Sequence, residues 1–252
     1  MTGAISDLIR LEIGMRLLVL LLGLFSGLLA QAQDSSEIEQ NIREGLQKIA
    51  PDMEISRIRP TDVEGLYEVV IGAEVIYMSA DGRYLLRGDL LDLKEQRNVS
   101  DNVRSQARRE LLADVSKDEM IRFSNGESKH VIHVFTDIDC GYCRKLHQDV
   151  SYLTEQGVEV RYLAYPRAGL DSDTSEMMEA VWCSSDRQAA LTDAKSGKEI
   201  EAESCDNPVA EQYKMGQTMG IRGTPAIFLE SGRQLPGYVP PKELLSILDS
   251  DS

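Results

Sequence analysis

The sequence predicts an α/β protein in two parts: a small α+β N-terminal domain over residues 33–97 and a larger α/β domain over 117–252, joined by a linker helix over 98–116. Three observations carry that prediction. Strand and helix signals alternate between residues 130 and 164. Strand-rich sequence follows an amphipathic helix between residues 36 and 87, and the stretch joining the two regions has helical period with no glycine or proline. At 252 residues the chain is long enough for two modest domains, and 42% apolar residues supply each with a core.

The elements follow in chain order. Arg16 precedes an apolar run from Leu17 to Leu24, continued by Phe25, Leu28 and Leu29 and then Ala30-Gln31-Ala32. A charged start, an apolar middle and a small-x-small site predict a cleaved secretory signal over 1–32, with the mature chain beginning near Gln33. The run ends well short of the roughly 20 residues that a membrane-spanning helix needs, so an uncleaved anchor is the weaker alternative. Asp7 and Glu12 are foreign to a signal start, which makes Met15 a candidate initiator. Export would place the four cysteines where disulfides persist.

Ser36 with Glu39 has the form of a capping box, and Ile38, Ile42, Leu46 and Ile49 share one helical face. Leu66–Ile71, Val75–Met78 and Tyr84–Arg87 then predict strands, the last two joined by an Asp81-Gly82 hairpin turn. A unit of about 60 residues buries a modest share of its surface and leaves sheet edges open, so it gains by pairing with a second copy. From Ser100 to Val115 every fourth residue is apolar (Val103, Ala107, Leu111, Val115), which predicts a semi-rigid connecting helix. Periodicity does not report what that helix faces, so packing into one continuous domain stays open.

In the C-terminal region His130–Thr136 reads as a strand, Cys140–Gln156 as a helix and Val158–Ala164 as a strand parallel to the first. Helices around Ser175–Ser185 and Ala210–Met219, a strand at Ala226–Leu229, a short strand near Gln234 and a helix from Pro241 to Leu248 complete a sheet with helices on its faces. With 27 basic and 42 acidic side chains the net charge is −15, which repels phosphate and excludes nucleic acid as a partner.

Cys140-Gly141-Tyr142-Cys143 falls where the first strand of the βαβ unit meets its helix. There, free backbone N–H groups and the positive end of the helix dipole favour thiolate. Two intervening residues let the sulfurs meet, so the pair can close and reopen a disulfide. Cys140, the outer sulfur, is the candidate nucleophile, and Cys143, one turn inward, the resolving thiol. Arg144 and Lys145 add positive potential while Asp137 and Asp139 oppose it. A zinc site would want a second close pair, whereas Cys183 and Cys205 lie 22 apart. A c-type haem needs histidine directly after Cys143, and Arg144 stands there. An inert disulfide at this spacing would stabilise little. If Cys140 pairs with Cys143, the remaining connectivity joins Cys183 to Cys205, with a second redox pair as the alternative. Trp182 reads as core. His130 and His133 point to opposite faces of a strand, and no metal or cofactor is expected. Gly223-Thr224-Pro225 precedes the Ala226 strand, and base frequency alone favours a trans Thr224–Pro225 bond.

His130–Phe135 leading to Cys140-Gly141-Tyr142-Cys143 belongs to a wider set of matches. The others are Lys145-Leu146-His147, Arg161-Tyr162-Leu163-Ala164, Gly169-Leu170-Asp171-Ser172-Asp173, Trp182-Cys183, Ser204-Cys205-Asp206 and Gly237-Tyr238 with Pro240-Pro241. On these residues the chain resembles the DsbC family of periplasmic disulfide isomerases, enzymes of the thioredoxin fold. The likeness spans the mature chain and is weaker before residue 98. It implies a thioredoxin-like catalytic domain with a helical insertion, an N-terminal dimerisation domain, and a V-shaped homodimer whose Cys140 sulfurs face a shared cleft. It also implies a cis Thr224–Pro225 bond against the cysteines, with Gly141, Tyr142, Thr224 and Pro225 binding substrate and Cys183–Cys205 as a structural disulfide. The implied partners are misfolded disulfide-containing secreted proteins and, as electron donor, the membrane thiol reductase DsbD; chaperone activity independent of the thiols is implied too. A DsbA-like thiol oxidase and a DsbG-like holdase with a secondary redox pair are the alternatives. Asp139 before the pair and Arg144 after it depart from the family pattern and bear on the thiol pKa.

Overall fold

The computed structural model describes residues 35–201 and 204–251. The predicted signal over 1–32, Met15 and Gln33 lie outside the described residues. The chain folds as two compact units: one takes residues up to Val69 together with Ile76–Leu86, the other Val70–Val75 and everything from Arg87 onward.

In the first unit, helix α1 (residues 35–47) is already formed at Ser36, so Ser36 lies inside the helix and Glu39 pairs with Arg43 at 2.6 Å. Ile42 and Leu46 are buried, but Ile49, expected on the same stripe, falls beyond the last turn and is 70% exposed. A sheet in the order β1 (Arg57–Pro60), β2 (Leu66–Ile71), β3 (Glu74–Ser79) and β4 (Leu85–Leu86) follows the predicted strands and adds β1. The short apolar content of Arg-Ile-Arg-Pro hides β1 from a pattern reading. The β3–β4 turn is held by Asp81, whose Oδ1 accepts from Ser79 Oγ at 2.6 Å and the Arg83 amide at 3.1 Å. Gly82 takes φ +67° there. A Cβ on Gly82 would run into the Asn41 carbonyl oxygen, and one on Gly45 into the Gly82 carbonyl oxygen. Turn and helix backbones therefore touch, and only glycine permits it.

The second unit opens on a two-stranded ribbon, β5 (Leu91–Asp92) with β6 (Arg97–Asn98), and then α2 (Val99–Ala113). Asn98 caps α2, its side chain accepting from the Asp101 amide. A five-stranded sheet follows in the order β11-β10-β8-β9-β7, from β7 (Ile121–Phe123), β8 (His130–Thr136), β9 (Val158–Ala164), β10 (Ala226–Leu229) and β11 (Gln234–Leu235). β8 and β9 are parallel in the register Ile132↔Val160 and the other neighbours antiparallel, so the predicted βαβ unit is the centre of the sheet. The single helix expected over Cys140–Gln156 is two, α3 (Gly141–Gln148) and α4 (Val150–Glu155), because Asp149 takes φ −87°, ψ −6° and bonds back to Leu146. α5 (Asp173–Cys183), α6 (Arg187–Lys195), α7 (Val209–Thr218) and α8 (Pro241–Asp251) complete the unit.

Side chains alternate across the sheet and feed two cores. Ile132, Val134, Val160, Tyr162, Ile227 and Leu229 pack on one face with Leu146, Leu153, Trp182, Leu191 and Leu244 from the helices. Phe135, Leu163 and Phe228 pack on the other with Ala107 and Leu112 of α2. Trp182 is fully buried and donates from Nε1 to the Glu119 carbonyl at 2.9 Å. A disulfide joins Cys183, at the end of α5, to Cys205 in the segment entering α7.

Gly65 and Gly82 both have positive φ, but a Cβ on Gly65 meets open space. We expect Gly65→Ala to cost about 1 kcal/mol and Gly82→Ala about 3 kcal/mol, because only the second adds a backbone clash to strain. Urea midpoints of the two variants measure the difference, and equal shifts would mean that the turn does not bear on α1.

Candidate active site

β8 ends at Thr136, and the chain crosses Asp137-Ile138-Asp139 before α3 begins. Cys140 is the N-cap of α3 (φ −80°, ψ 117°), and its sulfur accepts from the Cys143 amide at 3.3 Å. Asp137 fixes this loop. Its Oδ1 accepts from the Asp139 amide at 2.7 Å, and its Oδ2 from the Arg167 amide and guanidinium, each at 2.9 Å. The carboxylate is 2% exposed and so is satisfied on both oxygens inside the protein.

The Thr224–Pro225 bond is cis, as the resemblance implies and base frequency does not. The loop carrying it, at the start of β10, brings the Thr224 carbonyl to 3.1 Å from the Cys140 sulfur, which donates its S–H there. The Thr224 hydroxyl is buried without a hydrogen-bond partner. Cys140 is more shielded than expected of an outer sulfur, at 3% exposure against none for Cys143. Gly141 and Tyr142 beside it are open to solvent. Tyr142 stacks on Tyr238 with ring centroids 6.2 Å apart, and Lys145 lies over the Tyr238 ring at 4.6 Å. Tyr238 in turn donates from its hydroxyl to Asp149 Oδ2 at 2.9 Å, at the joint between α3 and α4.

Burial works against charge on Cys140, but the polar Thr224 beside it, the Cys143 thiol and amide, and the Arg167 guanidinium outweigh it. The pKa falls below the ordinary thiol value. Burial pushes Cys143 the other way, up to about 11, with the Lys195 charge the largest opposing influence. The two sulfurs of one helical turn are thus driven apart, the outer toward thiolate and the inner toward thiol.

The sequence pointed to Arg144 and Lys145 as the local positive charge and to Asp137 and Asp139 as its opponents. Instead Arg144 donates to Asp139 at 3.0 Å and to the Ile138 carbonyl at 2.8 Å, so the two departures from the family pattern neutralise each other. Arg167 and Lys195 supply the charge at the sulfurs, and pattern reading passed over both. Arg167 lies on a loop after β9, between the Arg161–Ala164 and Gly169–Asp173 matches and part of neither. Lys195 ends α6, a helix missed because its apolar positions are mostly alanine; Asp186, which caps it, and Gly197 beyond it were the available signals.

His147 on α3 contacts the Tyr162 hydroxyl through Nδ1 at 3.1 Å and Thr192 Oγ1 through Nε2 at 3.0 Å. His133 is buried with Nδ1 unpartnered. Burial drives the pKa of each down to about 4. Among the described residues no group of three or more His, Cys, Asp or Glu side chains converges on an ion site.

A parallel strand–helix–strand centre, a Cys-x-x-Cys pair at a helix start and a cis-proline loop against it define a thioredoxin-fold thiol–disulfide oxidoreductase. Comparison with known proteins agrees and narrows it. Residues 117–250 match the model of a thioredoxin-like domain, and residues 29–101 that of the disulfide bond isomerase protein N-terminal domain. The chain is 40% identical over 233 residues to the thiol:disulfide interchange protein DsbC of Escherichia coli K12, covering 92% of this chain and 94% of that one. It is 38% identical over 218 residues to DsbC of Dickeya dadantii, covering 86% and 87%. Among solved structures, a disulfide interchange protein from Neisseria gonorrhoeae is 35% identical over 54% of this chain and 97% of that one, with a TM-score of 0.49. The chain belongs to the DsbC family of periplasmic disulfide isomerases.

Two outcomes follow. Iodoacetamide at about pH 7 should modify Cys140 faster than an ordinary thiol of pKa about 8.5 and leave Cys143 untouched in the native protein; mass mapping of the alkylated peptide reads this directly. Histidines whose folded pKa lies below the unfolded value contribute stability that is full above about pH 6.5 and is lost as pH falls toward 4. The unfolding free energy should therefore drop across that window by at most about 1.4 kcal/mol per pH unit for each histidine. His147→Gln should make the drop shallower.

Proposed function

We propose that Cys140 attacks a wrong disulfide in a misfolded secreted protein and forms a mixed disulfide with one of its sulfurs. The observation that carries this reading is the Cys140 sulfur at the N-cap of α3, with its pKa lowered and the Thr224 carbonyl 3.1 Å away. A substrate thiol then displaces Cys140 and leaves a rearranged disulfide, or Cys143 displaces the substrate sulfur and leaves the enzyme oxidised. The Thr224 backbone, Pro225, Gly141 and the exposed Tyr142 form the surface against which an extended substrate segment lies, with Tyr142 and Tyr238 offering a stacked aromatic face.

In this reading the enzyme works as a homodimer joined through the N-terminal domain, residues 33–97, with 98–116 as the linker and 117–252 as the catalytic domain. Leu85, Leu86 and Tyr84 in the first unit are exposed apolar side chains on and beside the short strand β4, which supports a surface that a second copy covers. The protein is exported by a cleaved signal and acts in the periplasm. No helix among the described residues is long and apolar enough to cross a membrane. Each turnover that ends with Cys140 joined to Cys143 requires an external dithiol reductant, for which DsbD is the proposed donor. Cys183–Cys205 holds the fold and takes no part in exchange. By loop-closure entropy such a bond is worth about 3 kcal/mol. Unfolded chains bound in the dimer cleft would be held from aggregation without either redox thiol.

Refolding of a scrambled multi-disulfide substrate tests the reading. The reduced protein should restore native pairing, Cys140→Ser should abolish that while still suppressing aggregation, and Cys143→Ser should accumulate mixed disulfides. An enzyme that worked best when supplied oxidised would be a thiol oxidase instead.

A further inference from the structure

Lys195 is a lysine that the exchange chemistry above leaves unused, and its place is unusual. It is the last residue of α6, yet only 5% exposed. Its Nζ donates to Thr136 Oγ1 at 2.7 Å and points at the Asp137 carbonyl at 3.5 Å, at the end of β8 from which the cysteine loop springs. The Tyr162 ring from β9 lies 5.6 Å from Nζ. The same Asp137 carbonyl accepts from the Cys140 amide at 3.3 Å. Neither hydrogen-bond partner of Nζ is a carboxylate, since the Asp137 side chain is occupied by the Arg167 guanidinium and two amides. A buried ammonium without a carboxylate partner is costly. The Thr136 hydroxyl and the Tyr162 ring face the ammonium, and negative charge on the two sulfurs and on Asp137 favours it.

The step that needs such a charge is the attack of Cys143. Its sulfur is fully buried and must become thiolate to displace substrate from Cys140. We propose that Lys195 is a positioning residue for this release step, its buried ammonium pairing with the Cys143 thiolate while that sulfur attacks. The inference rests on the mixed-disulfide reading above. In the reactive state the Cys143–Lys195 pair holds one proton, on the nitrogen. The Cys143–Cys140 bond forms as the Cys140–substrate bond breaks. The substrate sulfur leaves as thiolate and takes a proton from solvent, and Lys195 keeps its charge. The substrate disulfide is reduced by two electrons and the cysteine pair oxidised by two.

Solvent has access to this region. Lys195 lines a cavity of about 480 Å³ with Arg144, His147, Thr192 and Ser196. The titratable and charged groups facing Lys195 are Asp137 and, through it, Arg167; Cys140, Cys143, Arg144 and His147 from α3; and Tyr162 from β9. Burial draws the lysine down to about 8, and the thiols and Asp137 pull the other way, so the ammonium is the main form below that pH.

Stopped-flow reaction of the reduced full-length protein with an aromatic disulfide separates the steps, because one coloured thiolate leaves when Cys140 attacks and a second when Cys143 resolves. In Lys195→Met the second phase should slow about tenfold or more at pH 7, and its pH midpoint should move upward, while the first phase changes much less. Lys195→Arg, which keeps a charge, should recover part of the loss. A folded Lys195→Met protein with an unchanged second phase and midpoint overturns the inference and leaves Cys140 chemistry standing. A wild-type protein without a first phase would overturn that chemistry instead. Where Lys195→Met does not fold, the Cε resonance of Lys195 in the wild-type protein decides. Its titration midpoint should fall when Cys140 and Cys143 are oxidised to the disulfide, and equal midpoints in the two redox states refute the pairing.

Discussion

Holding negative charge on a sulfur that has lost its water is the constraint around which the C-terminal unit is built. A thiolate at position 140 needs a donor and a positive charge that do not move, and each is supplied by an element anchored elsewhere: the Cys143 amide by the first turn of α3 and the Arg167 charge by the loop leaving β9. β8 and β9 are adjacent and in fixed register in the sheet, which sets where these two groups stand relative to each other. Asp137 is the joint of the arrangement. Its carboxylate ties the cysteine loop to the Arg167 loop, while its carbonyl meets both the Cys140 amide and the Lys195 ammonium.

The same economy of charge explains why the two departures from the family pattern do little harm. An aspartate directly before a thiolate should oppose it and an arginine directly after should help it. Bound to each other at the rim, 59% and 40% exposed at their side chains, Asp139 and Arg144 approach a neutral pair in high dielectric. The charges that matter are the buried ones, where screening is weak.

Much of this was legible in the residues, and the reasons for the exceptions are physical. β2, β8 and β10 are read correctly because they are rich in Val, Ile, Leu and Phe, and β9 because Val158, Val160 and Tyr162 alternate with charged residues. β1 and β7 escape because three or four residues carry no period. The break at Asp149 escapes because nothing local forbids an aspartate in a helix; it is set by what Tyr238 reaches from far along the chain. Within the site, Cys140 and Cys143 announce themselves by spacing at a strand–helix junction. Thr224 and Pro225 do so only through likeness to a family, since their partners lie 84 residues away. Arg167 and Lys195 carry no local mark at all. A charged residue acquires its role from the tertiary structure that buries it or brings it near a counter-charge, and sequence distance conceals that.

The four cysteines stand in opposite oxidation states within one fold, a closed cystine at Cys183–Cys205 and two free thiols at Cys140 and Cys143. A single electron pool maintains both only if their reduction potentials are well separated. For a two-electron couple, a hundredfold preference for opening one over the other corresponds to about 60 mV. Any donor that reopens positions 140 and 143 must therefore spare the 183–205 bond, so electrons supplied for cystine editing have to tell two disulfides of one polypeptide apart.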